Sequence, residues 1–158
     1  MLFRSDASAL SAQRKSKPRA LLGQRPLRVV DGTTFRLADT PANRQAYPPA
    51  TNQFKTPGFP LLKAVCLFCP DSGAVLKVAT GSLASSELRL LLELKDSLKP
   101  GDIVVGDRAY GCFVVAASLL AHGSDLLARL NTRSRRVDFR RASRRLGYSD
   151  ALFTWTKP

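Results

Sequence analysis

The chain has 158 residues, 44% of them hydrophobic, which is enough for one domain with a buried core and excludes full disorder. Lys and Arg number 25 against 12 Asp and Glu, so the net charge is +13. That excess favours a polyanionic partner, since neutralised phosphates release their counterions, although it also suits ribosomal and membrane-surface proteins.

The charge is unevenly placed. Residues 1–28 carry +6 and residues 129–145 carry +7, so the stretch between them is nearly neutral. Residues 1–26 read as a basic arm. Leu27 to Leu37 reads as a first strand, with Asp31-Gly32 either a turn or the strand end. Residues 38–60 hold Pro41, Pro48, Pro49, Pro57, Gly58 and Pro60, which predict loop.

Leu61 to Phe68 reads as a strand, turned by Pro70-Asp71-Ser72-Gly73 into a second arm from Ala74 to Thr80. Ser85 or Ser86 caps a helix running to Leu98, with Glu87 favourable in its first turn. Leu88, Leu91, Leu92 and Leu98 repeat at helical spacing, and Pro100-Gly101 stops the helix. Ile103 to Gly106 is a short buried strand that delivers Asp107. Cys112 to His122 reads as a helix with Gly123 at its C′ position, and Leu126 to Leu130 as a last strand. The order predicts a mixed α/β sheet, an antiparallel hairpin followed by βα units. Neither a G-x-G-x-x-G nor a P-loop motif is present. The longest apolar run, Cys112 to Ala121, is shorter than the roughly 20 residues of a membrane helix, so no membrane partner is expected.

Cys66, Cys69 and Cys112 do not form a disulfide framework. A zinc site built on Cys66 and Cys69 would need Cys112 and His122, which lie about 15 Å apart along one helix. Three buried apolar cysteines are the expectation. His122, near a helix C-terminus, is expected to make a cap interaction.

Asp31 and Asp107 each follow a Val- or Ile-rich run, which puts both at the rim of a sheet. Two carboxylates there in a basic chain suit divalent cations acting on a phosphodiester. Turn or cap roles are an equal reading of these residues taken alone.

GDRAYG, the apolar helix after it and GSDLLARL resemble the IS-four family of bacterial insertion-sequence transposases, as does the upstream segment VVDGTTFRLADTPANRQAY. The resemblance covers about Leu27 to Arg129. It implies a ribonuclease H-like fold over residues 27–131 and a DDE triad in which Asp31 and Asp107 are the first two catalytic, metal-binding acids. It also implies Mg²⁺ or Mn²⁺ in a completed site, DNA partners (transposon ends and target), a homodimer within a DNA complex, and a bacterial cytoplasmic location. The family's third acid is a glutamate in a Y-x-x-R-x-x-x-E helix. Here the glutamates are Glu87 and Glu93, both upstream of Asp107, so the expectation is a truncated copy with an incomplete site.

Residues 132–158 read as the start of an insertion or a tail. The segment RLNTRSRRVDFRRASRRLG holds Arg129, Arg133, Arg135, Arg136, Arg140 and Arg141. It reads as a DNA-backbone surface, with Phe139 and Tyr148 available for stacking, or as a solvated basic insertion. Arg108 either pairs a phosphate or screens the carboxylates. Tyr110 either belongs to the core or lines the site, and the core is the expectation. The rival functions are a non-catalytic nucleic-acid-binding module and a non-functional remnant.

Overall fold

A computed structural model describes residues 23–49, 58–130 and 138–156. Five strands form one mixed sheet: β1 (Leu27–Arg36), β2 (Leu61–Cys69), β3 (Ala74–Ser82), β4 (Ile103–Gly106) and β5 (Asp125–Ala128). Their spatial order is β3-β2-β1-β4-β5. β1 pairs antiparallel with β2 and β2 antiparallel with β3, whereas β4 pairs parallel with β1 and β5 parallel with β4. This is the ribonuclease H-like arrangement, with β1 at the point where an antiparallel meander meets a parallel pair.

Two helices supply the crossovers, α2 (Glu87–Leu94) and α3 (Phe113–Ala121); a third, α1 (Pro41–Ala46), lies between β1 and β2. Leu90, Leu91 and Leu94 of α2 are buried with Val115 and Leu119 of α3 against Val30, Val65, Leu67 and Val104. Because strand side chains alternate, these strand residues share one sheet face. The buried α2 stripe is therefore Leu90, Leu91 and Leu94, and the predicted Leu92 is only half-buried. Gly123 takes φ +84° just past α3, as a C′ glycine does.

Three expectations need correction. Asp31 and Gly32 form neither a turn nor a strand end, because β1 runs on to Arg36 with β2 paired beside it throughout. Residues 38–60 are not all loop. Thr40 Oγ1 accepts the Asn43 N–H (3.2 Å) and Pro41 sits in the first helical turn, where its missing N–H costs nothing. Of the cysteines, only Cys69 is buried; Cys66 and Cys112 are half-exposed thiols.

A buried ion pair fastens β1 to the entrance of β4. Arg28 Nε donates to Asp102 Oδ2 (3.2 Å), with side-chain exposures of 6% and 2%. The same oxygen accepts the Lys99 N–H at 2.9 Å. Beyond β5, Phe139–Arg141 form a 3-10 turn, and β6 (Arg144–Arg145) pairs with β7 (Ala151–Leu152) as a separate two-stranded ladder. Trp155 meets Phe113 of α3 edge to face at 5.9 Å, which docks this segment on the domain. Among the described residues no helix is long and apolar enough to cross a membrane.

Candidate active site

The two aspartates are brought together by strand register. Leu27 pairs with Ile103, Arg28 with Val104 and Val29 with Val105. Asp31 and Asp107 each lie two residues past the last of these pairs, at the same end of two neighbouring strands. β4 stops at Gly106, level with Val30, while β1 continues. That leaves a crevice at the carboxyl end of a parallel strand, the usual place for a ligand in such sheets.

Local hydrogen bonds aim both carboxylates. Asp107 Oδ1 accepts the Ala109 N–H (2.8 Å) and its carbonyl accepts the Tyr110 N–H (3.2 Å), an Asx-type turn that carries the chain back under β1. Asp31 Oδ1 accepts the Gly32 N–H at 2.9 Å. Both side chains are exposed, and among the described residues the second oxygen of each accepts no hydrogen bond. Asp31 stands opposite Cys66 in the β1–β2 register. Burial, and then the Asp31 charge, push the Cys66 thiol above its ordinary pKa.

Tyr110 and Glu87 form the floor beneath β1. Tyr110 is 1% exposed, and its ring lies so close under Gly106 that a Cβ there would meet Cδ2 at 2.9 Å. Its hydroxyl is buried without a hydrogen-bond partner among the described residues. A Cβ on Gly32 would lie 3.3 Å from that hydroxyl and 3.2 Å from Glu87 Oε2, so the two oxygens are at most 6.5 Å apart. Burial raises the Tyr110 phenol far above its ordinary value, and the charges of Glu87, Asp107, Asp31 and Cys66 add to that in this order. The core placement expected for Tyr110 is what the fold shows, but the ring also underlies the carboxylates. Glu87 had been read only as a helix-start acid. Its approach to β1 was signalled by one feature, Gly32 in the middle of a strand.

The arginines are less concentrated. Arg108 and Arg129 are exposed and make no ion pair among the described residues. Gly111, four residues past Asp107, lies under the Arg129 carbonyl oxygen so closely that a Cβ would overlap it. Arg140 is held by Asp138 (Nε to Oδ1, 2.9 Å), while Arg141 is exposed beside it. Arg133, Arg135 and Arg136 lie outside the described residues. Arg144 and Arg145 flank a turn whose Tyr148 is 99% exposed. His122 Nδ1 lies 3.3 Å from Ser124 Oγ at the α3 C-terminus, as a cap residue.

The sequence matches the family described as a transposase DDE domain over residues 22–153. The chain belongs to the transposase DDE domain family. A solved structure of Mos1 transposase, in a paired-end complex with the left transposon end, is similar over 76% of this chain and 38% of that one, at 14% identity and a TM-score of 0.43. No curated protein sequence matches.

DDE domains generally use divalent metal ions. Asp31 and Asp107 fit such an ion chemically, since each offers an exposed hard oxygen free of other partners among the described residues. No group of three His, Cys, Asp or Glu side chains among the described residues is placed to hold a metal ion directly.

Proposed function

We propose that this DDE domain belongs to an IS-four-type insertion-sequence transposase that cuts and rejoins DNA strands. The observation that supports the proposal is that Asp31 and Asp107 each lie two residues past Val29 and Val105, the last pair of the parallel β1–β4 ladder. Asp31 and Asp107 would hold Mg²⁺ or Mn²⁺ through their free oxygens. Such an ion, when bound, neutralises charge on the phosphoryl group and favours deprotonation of the attacking hydroxyl. The chain's own part is to fix the two carboxylates through the Gly32 and Ala109 amides and to bring phosphate to them through basic side chains.

Arg108, Arg129, Arg133, Arg135, Arg136, Arg140 and Arg141 are proposed as backbone contacts, which position DNA without reading its sequence. The chain spans 38% of the Mos1 chain that it resembles, so activity belongs to this proposal alone. The glutamate of a DDE triad does not follow Asp107 in these 158 residues. Two acids do not stabilise both the attacking and the leaving oxygen, so strand transfer by these residues alone is not expected.

Mn²⁺ titration by calorimetry tests the site. Asp31→Asn and Asp107→Asn should each weaken binding at least tenfold, because a neutral amide replaces an anionic ligand. Equal affinity in the parent and both variants would overturn the proposal. The second reading, a non-catalytic DNA-binding module, is favoured by the net charge of +13. It predicts DNA affinity in the parent with no Mn²⁺ binding at Asp31 or Asp107.

A further inference from the structure

Glu87 opens α2, and α2 follows β3, whose last residues pair with the start of β2 beside the far end of β1. β3 therefore ends at the same edge of the sheet as β4. Glu87 arrives there under Gly32, on the helix side of β1, while Asp31 leaves β1 on the opposite side. Because β4 ends level with Val30, the two sides meet around the edge of β1 beyond that point.

Two observations bear on Glu87. Five described acids (Asp39, Glu93, Asp102, Asp125 and Asp138) pair with an arginine. Among the described residues Asp31, Asp71, Glu87, Asp96, Asp107 and Asp150 do not, and of these Glu87 is the acid packed against Gly32 of β1. The nearby Lys63 ammonium is engaged by the Ser85 carbonyl at 2.7 Å. The second is the Tyr110 hydroxyl, buried without a partner among the described residues and at most 6.5 Å from a Glu87 oxygen. A buried hydroxyl lacking an acceptor is costly, and a water or a small shift of the flexible glutamate supplies one.

We propose that Glu87 is a positioning residue of the divalent-cation site, taking a hydrogen bond from a cation-bound water while the Tyr110 hydroxyl holds its carboxylate. This rests on the proposed role of Asp31 and Asp107. Contact through water is proposed because no three acidic side chains among the described residues are grouped to hold one ion directly. It also suits magnesium, which dehydrates reluctantly and keeps several waters. The carboxylate orients such a water and adds negative charge near the ion. Partners of this outer kind are typically worth 10–100-fold in metal affinity.

The experiment is Mn²⁺ titration of the 158-residue protein, with electron–nuclear double resonance to count water protons on the bound ion. Glu87→Gln should weaken binding at least tenfold and leave the number of coordinated waters unchanged. Asp107→Asn should weaken binding further and increase that number. Tyr110→Phe should weaken binding severalfold, and Glu93→Gln should have no effect. Affinity within twofold of the parent in Glu87→Gln, with Asp107→Asn impaired, would overturn the role of Glu87 and leave the aspartate site standing. Unchanged binding in Asp107→Asn would remove the cation site and this inference with it. If Glu87→Gln does not melt cooperatively, Glu87→Asp replaces it. That variant keeps the charge but shortens its reach, so affinity equal to the parent would count against the proposal and a fall of several-fold would support it.

Discussion

Asp31 and Asp107 each lie two residues past Val29 and Val105, the last pair of the parallel β1–β4 ladder. Both aspartates are therefore carried to the same end of neighbouring strands by backbone register. A slip of one residue would turn Asp31 to the other face of the sheet, under the helices. What holds the register thus holds the site.

The buried Arg28–Asp102 pair is part of that hold. Asp102→Leu leaves a buried guanidinium unpaired and should lower unfolding free energy by about 3–5 kcal/mol in urea titration. Adding Arg28→Met should recover most of the loss, because a buried ion pair replaced by apolar side chains of similar volume is often neutral. Equal stability of the single and double variants would show that desolvation of Arg28 is not the cause.

Two glycines permit the close packing around the Asp107 turn. Gly106→Ala should destabilise by about 1–3 kcal/mol, as overpacking does, since its Cβ would meet the buried Tyr110 ring and Val30. Gly111→Ala should cost more. Its obstacle is the Arg129 backbone carbonyl, which has no rotamer by which to move aside. Reversal of that order in chemical denaturation would contradict the packing described here.

Cys66 is a reporter for the Asp31 charge. Burial and Asp31 both disfavour its thiolate, so alkylation should reach half its maximal rate at a pH above that of an ordinary exposed thiol. Asp31→Asn removes the second cause, so the thiolate should form at lower pH and alkylation at fixed pH should speed up severalfold. Peptide mass spectrometry distinguishes Cys66 from Cys112. A profile that does not move would place Asp31 out of electrostatic reach.

DNA affinity should fall steeply with salt. Each phosphate contact adds about 0.9 to the slope of log affinity against log salt for duplex DNA. Neutralising Arg133, Arg135, Arg136, Arg140 and Arg141 together should flatten the slope more than Asp31→Ala does. Singly, Arg141→Ala should exceed Arg140→Ala, because Arg140 already answers to Asp138. An unchanged slope in the fivefold variant would show that this segment does not touch phosphate.

Much of the sheet was legible because its strands are short apolar runs between strong turn signals. Pro70 to Gly73 marks the β2–β3 hairpin, and Pro100-Gly101 the entry to β4. The passage of β1 through Asp31-Gly32 was not legible, since a dipeptide favouring turns is overridden by β2 pairing along the whole strand. Helix α1 was hidden among prolines whose effect depends on position, harmless at a first turn. β6 and β7 carry no apolar alternation to read. Asp31 and Asp107 stand out in the sequence because each follows a recognisable apolar run. Glu87 is marked only by Gly32 within β1, because its position comes from the packing of α2 on β2 and β3, a tertiary fact.

The Gly111–Arg129 contact ties the mouth of the crevice to the root of the arginine segment. Asp138 is nine residues further on, and covalent geometry limits that span to about 32 Å. Under the proposed function, a DNA phosphate held by Arg129 or Arg140 would be a tethered reactant, confined near Asp107 at an effective concentration on the order of 10 mM. With that tether, weak individual phosphate contacts would suffice: the strand would leave any one arginine often, but remain within reach of the carboxylates.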